Sequence, residues 1–265
     1  MKTLTLLAVT AASVLPTLTL AEVSNDRDPH AYSRGYTLER GPYALPGPRQ
    51  LKMADEHRFW SLLGKRLEYE PDDERGAYDI TAWYGTTWDR LQINGEGEFA
   101  DGAVKEAQTE LLWSHAISGY FDTLLGAKFD TYDGDEGEDR QWLALGIQGL
   151  APYWFETDLT FYLGDEGHTA LSAEAGYELL FTQRLILQSR ATLSAYSKDD
   201  AANGRYAGIT DGALGFRLRY EFSRQFAPYT GMEWSRYFGD TADAIINAGE
   251  PVSDTHYLAG VKFWF

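Results

Sequence analysis

The chain has 265 residues, a formal net charge of −17 and no cysteine; one domain suits that length, and disulfides, thiolate zinc sites and cysteine nucleophiles are excluded. An acidic surface repels phosphate, so nucleic acid is a poor partner and cations are natural ones, although net charge also serves plain solubility. Eight Trp, 17 Tyr and 13 Phe in a chain without a long apolar run point to a sheet whose two faces differ.

Residues 1–21 read as a secretory signal. Lys2 supplies the positive end, Leu4 to Leu20 is mostly apolar, and Thr19-Leu20-Ala21 offers small residues for a cut after Ala21. Its removal takes away one Lys and no acid, leaving the chain slightly more acidic. No later segment reaches the roughly 18 to 20 apolar residues of a membrane helix. Residues 22–58 form an irregular arm, expected to lie in the periplasm, punctuated by Pro29, Pro42, Pro46 and Pro48. Its end, Arg49 to Trp60, suits a short helix.

From about Leu62 the apolar period is two. Tyr153, Phe155, Thr157, Leu159, Phe161 and Leu163 fall on one face, with Glu156, Asp158 and Thr160 on the other. Leu171 to Phe181, Leu214 to Phe222 and Tyr257 to Phe265 repeat the pattern. The stretch Trp142 to Leu150 fits either phase. A soluble sandwich would also alternate, but strands of about ten residues match a tilted membrane-spanning strand. Connections are expected to alternate strictly between short (Thr86-Thr87, Ser118-Gly119, Ala151-Pro152, Thr182-Gln183, Ser223 to Gln225) and long. The long ones are Pro71 to Ala77, Phe99 to Ala103, Asp133 to Asp139, Gly164 to His168, Ser197 to Thr210 and Gly239 to Asp254. The fold class expected is therefore all-β, a transmembrane antiparallel up-and-down barrel of about 12 strands over residues 59–265. Trp83, Tyr84, Trp88, Tyr153, Trp154, Phe263 and Trp264 are expected to form its interfacial girdle.

The long loops are acidic, through Asp72, Asp73 and Glu74, then Asp133 to Asp139, and finally Asp240 to Asp254. Such clusters attract cations or bind the divalent ions that bridge lipopolysaccharide, and most charge runs are solvated surface. The inward positions should carry acids such as Glu68, Asp79, Glu96, Glu174, Glu178 and Glu233 beside Arg66, Arg190, Arg217, Arg219 and Lys262. Salt-bridged packing is the first expectation for them, and a cation-lined channel the second. No catalytic constellation emerges, and no enzyme is expected. Ser114 and His115 are adjacent on a strand and point apart. For a soft metal, Met53 and His57 lie four apart in the short helical segment, where packing is the blander explanation and Glu68 a candidate third ligand.

Met53-Ala54-Asp55-Glu56-His57, Arg66-Leu67-Glu68-Tyr69, Gly146 to Glu156, Leu180 to Gln188, Gly215 to Glu221, Phe226-Ala227-Pro228-Tyr229 and Phe238 to Ala242 resemble the copper-resistance protein B family. So does the end, Val261-Lys262-Phe263-Trp264-Phe265, and together the matches span Met53 to Phe265. The resemblance implies an outer-membrane protein of copper resistance and homeostasis, with copper as the bound ion. Its partners would be outer-membrane lipid, lipopolysaccharide, copper ions and a periplasmic copper-handling protein. The Met- and His-rich segment of many family members is missing, because residues 22–52 hold His30 and no Met. A diffusion channel or purely structural barrel is the alternative.

Overall fold

The computed structural model describes residues 57–265 apart from 72–74, 101–102 and 134–136. Its strands are β1 Phe59–Glu70, β2 Arg75–Gly85, β3 Asp89–Ala100, β4 Ala103–Ala116, β5 Phe121–Tyr132, β6 Arg140–Ala151, β7 Phe155–Gly164, β8 Thr169–Leu180, β9 Leu185–Tyr196, β10 Gly208–Tyr220, β11 Phe226–Tyr237 and β12 Ser253–Trp264. Each pairs antiparallel with its neighbour in sequence, and β12 returns to β1, so 12 strands close an up-and-down barrel as expected. Closure leaves no strand edge unpaired, the condition for a sheet to cross hydrocarbon.

Period two decides what lies inside. On β10, Phe216, Leu218 and Tyr220 stay 41–45% exposed on the outer wall, while Arg217 and Arg219 between them are buried. Leu159, Phe161 and Leu163 likewise face out on β7, with Thr160 and Tyr162 inside. A sheet that buries arginine and exposes leucine is inside-out for water and suited to lipid. On β6 the ambiguous phase resolves with Trp142 and Ala144 inward and Leu143 and Leu145 outward.

Several expectations need correction. β7 starts at Phe155, because Pro152–Trp154 is a 3-10 turn in which Tyr153 (φ 66°) and Trp154 (φ 68°) are left-handed. Tyr153 therefore does not belong to the strand's alternation. Trp83 and Trp264 line a cavity inside the barrel, so they are not girdle residues; the girdle keeps their neighbours Tyr84 and Phe263. Phe59 and Trp60 begin β1 and are not helical, while the rest of that proposed helix, the arm and the signal lie outside the described residues. Loop lengths do not alternate strictly. Only residues 101–102 separate β3 from β4, and the last loop contains a helix, α1 Gly239–Ala248. We call the end carrying the turns 86–88, 117–120, 152–154, 181–184 and 221–225 the turn end, and the opposite one the loop end.

The seam between β1 and β12 is irregular. Leu62 and Phe265 exchange backbone hydrogen bonds of 2.9 and 2.8 Å at the turn end. Gly64 then pairs Phe263, but the next pair is Glu68 with Gly260. The other neighbour shows why. Gly64 faces Ile80 and Arg66 faces Asp79, so Lys65 is an extra residue, a bulge. Gly64 is needed here because the Phe263 ring lies where a Cβ would be.

Candidate functional site: a charged barrel interior

Arginines from β10 and β1 organise the interior. Arg217, 2% exposed, donates from Nε and Nη2 to Glu68 at 2.5 and 3.1 Å, and from Nη2 to Glu233 at 2.8 Å. The Tyr229 hydroxyl gives Glu68 another bond at 3.0 Å. Gly260 lacks a Cβ where the Tyr229 ring passes, which lets the tyrosine reach that carboxylate. Arg66 pairs with Glu96 and lies 3.6 Å from Asp79. Arg219 grips Glu178 at 2.9 and 3.1 Å, and Lys262 reaches the same carboxylate at 3.3 Å. Arg190 bonds Glu174 at 2.8 Å.

Several of these contacts join strands that are not neighbours, such as β1 with β10 and β8 with β12. They cross the lumen and narrow it. Buried charges are tolerated because they are paired, and the pairing fixes one arrangement of the wall more than it adds net stability.

A different character prevails on β3 to β8. Leu112, Leu124, Trp142, Ala144, Tyr162 and Ala170 form an apolar patch facing inward. Trp142 Nε1 donates to Asp130 at 2.8 Å, and the Lys128 ammonium lies 4.8 Å from the Tyr162 ring centre. Glu110 accepts from Asn94 Nδ2 at 2.8 Å and from the Tyr162 hydroxyl at 2.7 Å, while Asp158 accepts from Thr160 at 2.9 Å. These donors are neutral, so neither carboxylate is bonded to a guanidinium or ammonium. A cavity of about 360 Å³ opens at the turn-end half, lined by Lys65, Trp83, Arg90, Gln92, Gln148 and Trp264 among others.

Of the residues singled out for a soft metal, His57 and Glu68 are not brought together. Met53 lies outside the described residues. His57 is exposed at the turn end, tilted 49° against Phe59 with ring centres 6.4 Å apart. Glu68 sits near the other end of β1, roughly 35 Å away at about 3.3 Å per strand residue. It is held by Arg217 and Tyr229. Met232 faces outward on β11. Among the described residues no group of three or more His, Asp and Glu side chains is arranged to hold a metal ion.

Ser114 and His115 do point apart. Ser114 is buried inside, 3.3 Å from Asp122, and His115 is on the outer wall, 2.8 Å from Asp89. Local sequence could not reveal His256 between Glu70 at 3.5 Å and Asp254 at 3.6 Å, because Glu70 belongs to the far end of the chain. The acids Asp72, Asp73, Glu74, Asp135 and Glu136 fall outside the described residues.

Comparison with known proteins agrees with this architecture. Residues 58–265 match the family model described as copper resistance protein B precursor. Copper resistance protein B of Escherichia coli is 38% identical over 206 residues, covering 77% of this chain and 69% of that protein. The homolog from Pseudomonas syringae pv. tomato matches to the same extent, 38% over 206 residues. Among solved structures the NanC porin aligns with a TM-score of 0.50 at 11% identity, over 77% of this chain and 99% of its own; at that identity the likeness concerns the fold alone. With a family match over the whole barrel and relatives this similar, the chain belongs to the copper resistance protein B family.

Proposed function

We propose that the barrel sits in the outer membrane of a Gram-negative cell, turn end toward the periplasm, and serves copper resistance by handling copper as a cation inside its lumen. The carrying observation is the donor set. The interior offers many carboxylates, and Glu110 and Asp158 are bonded by neutral groups and not by arginine. Oxygen donors suit Cu(II) arriving hydrated better than Cu(I), which prefers thioether or thiolate. The cross-lumen ion pairs leave a narrow path, which favours small hydrated ions over bulky solutes. In this reading copper leaves the periplasm through the barrel, and His57 at the turn end, with Met53 four residues before it in sequence, gives it a weak first contact.

The test uses mature protein in liposomes loaded with a copper-quenched dye. Copper should enter several times faster than into protein-free liposomes, and Glu110→Gln with Asp158→Asn should remove most of the gain. Equal rates for sodium, magnesium and copper would point instead to a general cation channel. Stoichiometric copper binding without flux would point to a binding protein. The Met53→Ala, His57→Ala double variant should weaken copper binding only modestly, since two ligands hold a metal poorly; unchanged affinity and stoichiometry would remove these residues from the path.

A further inference from the structure

The loop between β9 and β10 does not stay above its own strands. Residues 197–207 reach β4, β6 and the 133–139 loop, and β4 is five strands from β9 in a ring of 12. Two guanidinium contacts fasten it. Arg205 Nη2 donates to Glu106 of β4 at 3.0 Å while its carbon lies 5.3 Å from the Tyr196 ring centre. Arg140 of β6 grips Asp200 from Nε at 3.1 Å and Nη2 at 2.9 Å. The Tyr206 backbone N–H donates to Thr241 Oγ1 of α1 at 3.1 Å, and Asn203 adds to the attachment. Its Oδ1 accepts from the Glu138 backbone N–H at 2.7 Å, and its Nδ2 donates to the Glu138 carbonyl at 3.2 Å and to Asp200 at 2.9 Å.

The loop is shaped in advance. Asp200 and Arg205 are bridged by backbone hydrogen bonds of 2.6 and 3.0 Å, and Gly204 supplies the left-handed residue (φ 63°) that closes this turn. Its tip has no apolar seat, since Ala201 and Ala202 point to solvent, while Tyr206 near its root is half-buried. Its attachment is therefore mainly polar and charge-assisted, and release would cost ion pairs while uncovering little apolar surface beyond the Tyr196 and Tyr206 rings. At its root Gly208 has φ 110°, followed by a register shift between Ile209 and Asp211, and both give the connection to β10 a natural hinge.

We infer that residues 197–207 are a lid over the loop-end mouth, latched by Arg140–Asp200 and Arg205–Glu106, whose release opens the lumen. The latch has a sign in pH. The hydrogen bonds from Arg140 hold the Asp200 carboxyl below the ordinary carboxylate range. A depressed folded-state value means the latch is intact above the ordinary carboxylate pKa and is lost as pH falls through the depressed one. Arg140, Asn203, His168, Arg205 and, through Arg140, Glu138 are the groups that face Asp200. Neutralising the latch residues by substitution should therefore act as strong acid would, at neutral pH.

This inference extends the lumen reading but is tested apart from it. Intact cells bearing the protein are exposed to trypsin, and cleavage after Arg205 is followed by mass spectrometry of the folded, heat-modifiable fraction. Glu106→Gln with Asp200→Asn keeps Arg205 as a trypsin site and should raise the cleavage rate about tenfold, the equivalent of roughly 1.4 kcal/mol of latch. The chain has no cysteine, so Gly137→Cys with Asn203→Cys gives a clean lock. A Cβ at Gly137 would lie 2.6 Å from Asn203 Oδ1 and 2.8 Å from the Tyr132 ring, so the two positions are neighbours and the ring must shift to admit the bridge. The oxidised lock should suppress that cleavage and a reductant restore it. Equal cleavage in the unaltered protein, the latch variant and the oxidised lock would overturn the lid. Planar-bilayer conductance is then read on the same variants. Faster cleavage with higher conductance supports both readings, whereas faster cleavage with no conductance keeps the lid and removes the passage.

Discussion

Arg217→Ala is expected to destabilise the barrel by about 3–5 kcal/mol, because it strands the Glu68 carboxylate without its cation inside the wall. Glu68 is 4% exposed and would keep the Tyr229 hydroxyl as its hydrogen-bond donor, with Arg66 close enough to be felt but not bonded to it, and Glu233 would lose its 2.8 Å contact as well. Urea unfolding in detergent micelles, followed by loss of the heat-modifiable band, reads the change. The paired replacement Arg217→Met with Glu68→Gln removes both charges while keeping much of the volume. It should recover more than half of the loss, since a buried pair is costly to break and cheap to remove whole. An unaltered unfolding midpoint for Arg217→Ala would show that water reaches Glu68, and would sink the description of this pair as structural.

Deleting Phe265 should reduce the protein recovered in the outer membrane by about tenfold or more, since closure then loses backbone pairs that water cannot replace within a bilayer. The residue contributes the reciprocal hydrogen bonds with Leu62, and its carbonyl also accepts from the Ser61 hydroxyl at 3.1 Å. It stands beside the irregular stretch of the seam, where pairs between Gly64 and Glu68 are missing on the β12 side. Phe265→Ala separates backbone from ring. It keeps the backbone pair, and any shortfall it shows belongs to the aromatic side chain. Full accumulation of the deleted form would mean that the seam closes without its last residue.

The barrel itself was legible because alternation is enforced twice, by lipid outside and by charge inside. Leu214 to Phe222 and Tyr257 to Phe265 carry that signal without a break. β6 hid its phase because both of its faces are apolar: Trp142 and Ala144 join the inner patch while Leu143 and Leu145 meet lipid. Tyr153 and Trp154 extended the apparent alternation into a turn, since aromatic identity carries no information about positive φ. Helix α1 was missed for want of a side-chain cap at its start, although Gly249 at φ 84° is a usual glycine stop. The interior partnerships were beyond reach for a simpler reason. Glu68 and Arg217 are 149 residues apart, and only the closed register brings them together.

The bulge at Lys65 has an implication for the chain as a register of frames. Ser61, Leu63 and Lys65 line the inner cavity, yet Arg66 and Glu68 also point inward, so β1 changes frame once between two correctly aimed halves. Removing that single residue would leave Ser61, Leu63, Arg66 and Glu68 on one uninterrupted inner row, and both neighbouring ladders would fall into step. Most one-residue deletions in a barrel strand turn its faces inside out. Deletion of Lys65 is the exception expected to leave an assembled barrel, whereas deletion of Ala144 on β6, a strand with no register shift against either neighbour, should abolish it. Heat-modifiable migration of the two forms would separate these outcomes. A residue that can leave without scrambling its strand marks the place where the strand can also take one in, and β1 is spelled as a regular strand plus one letter.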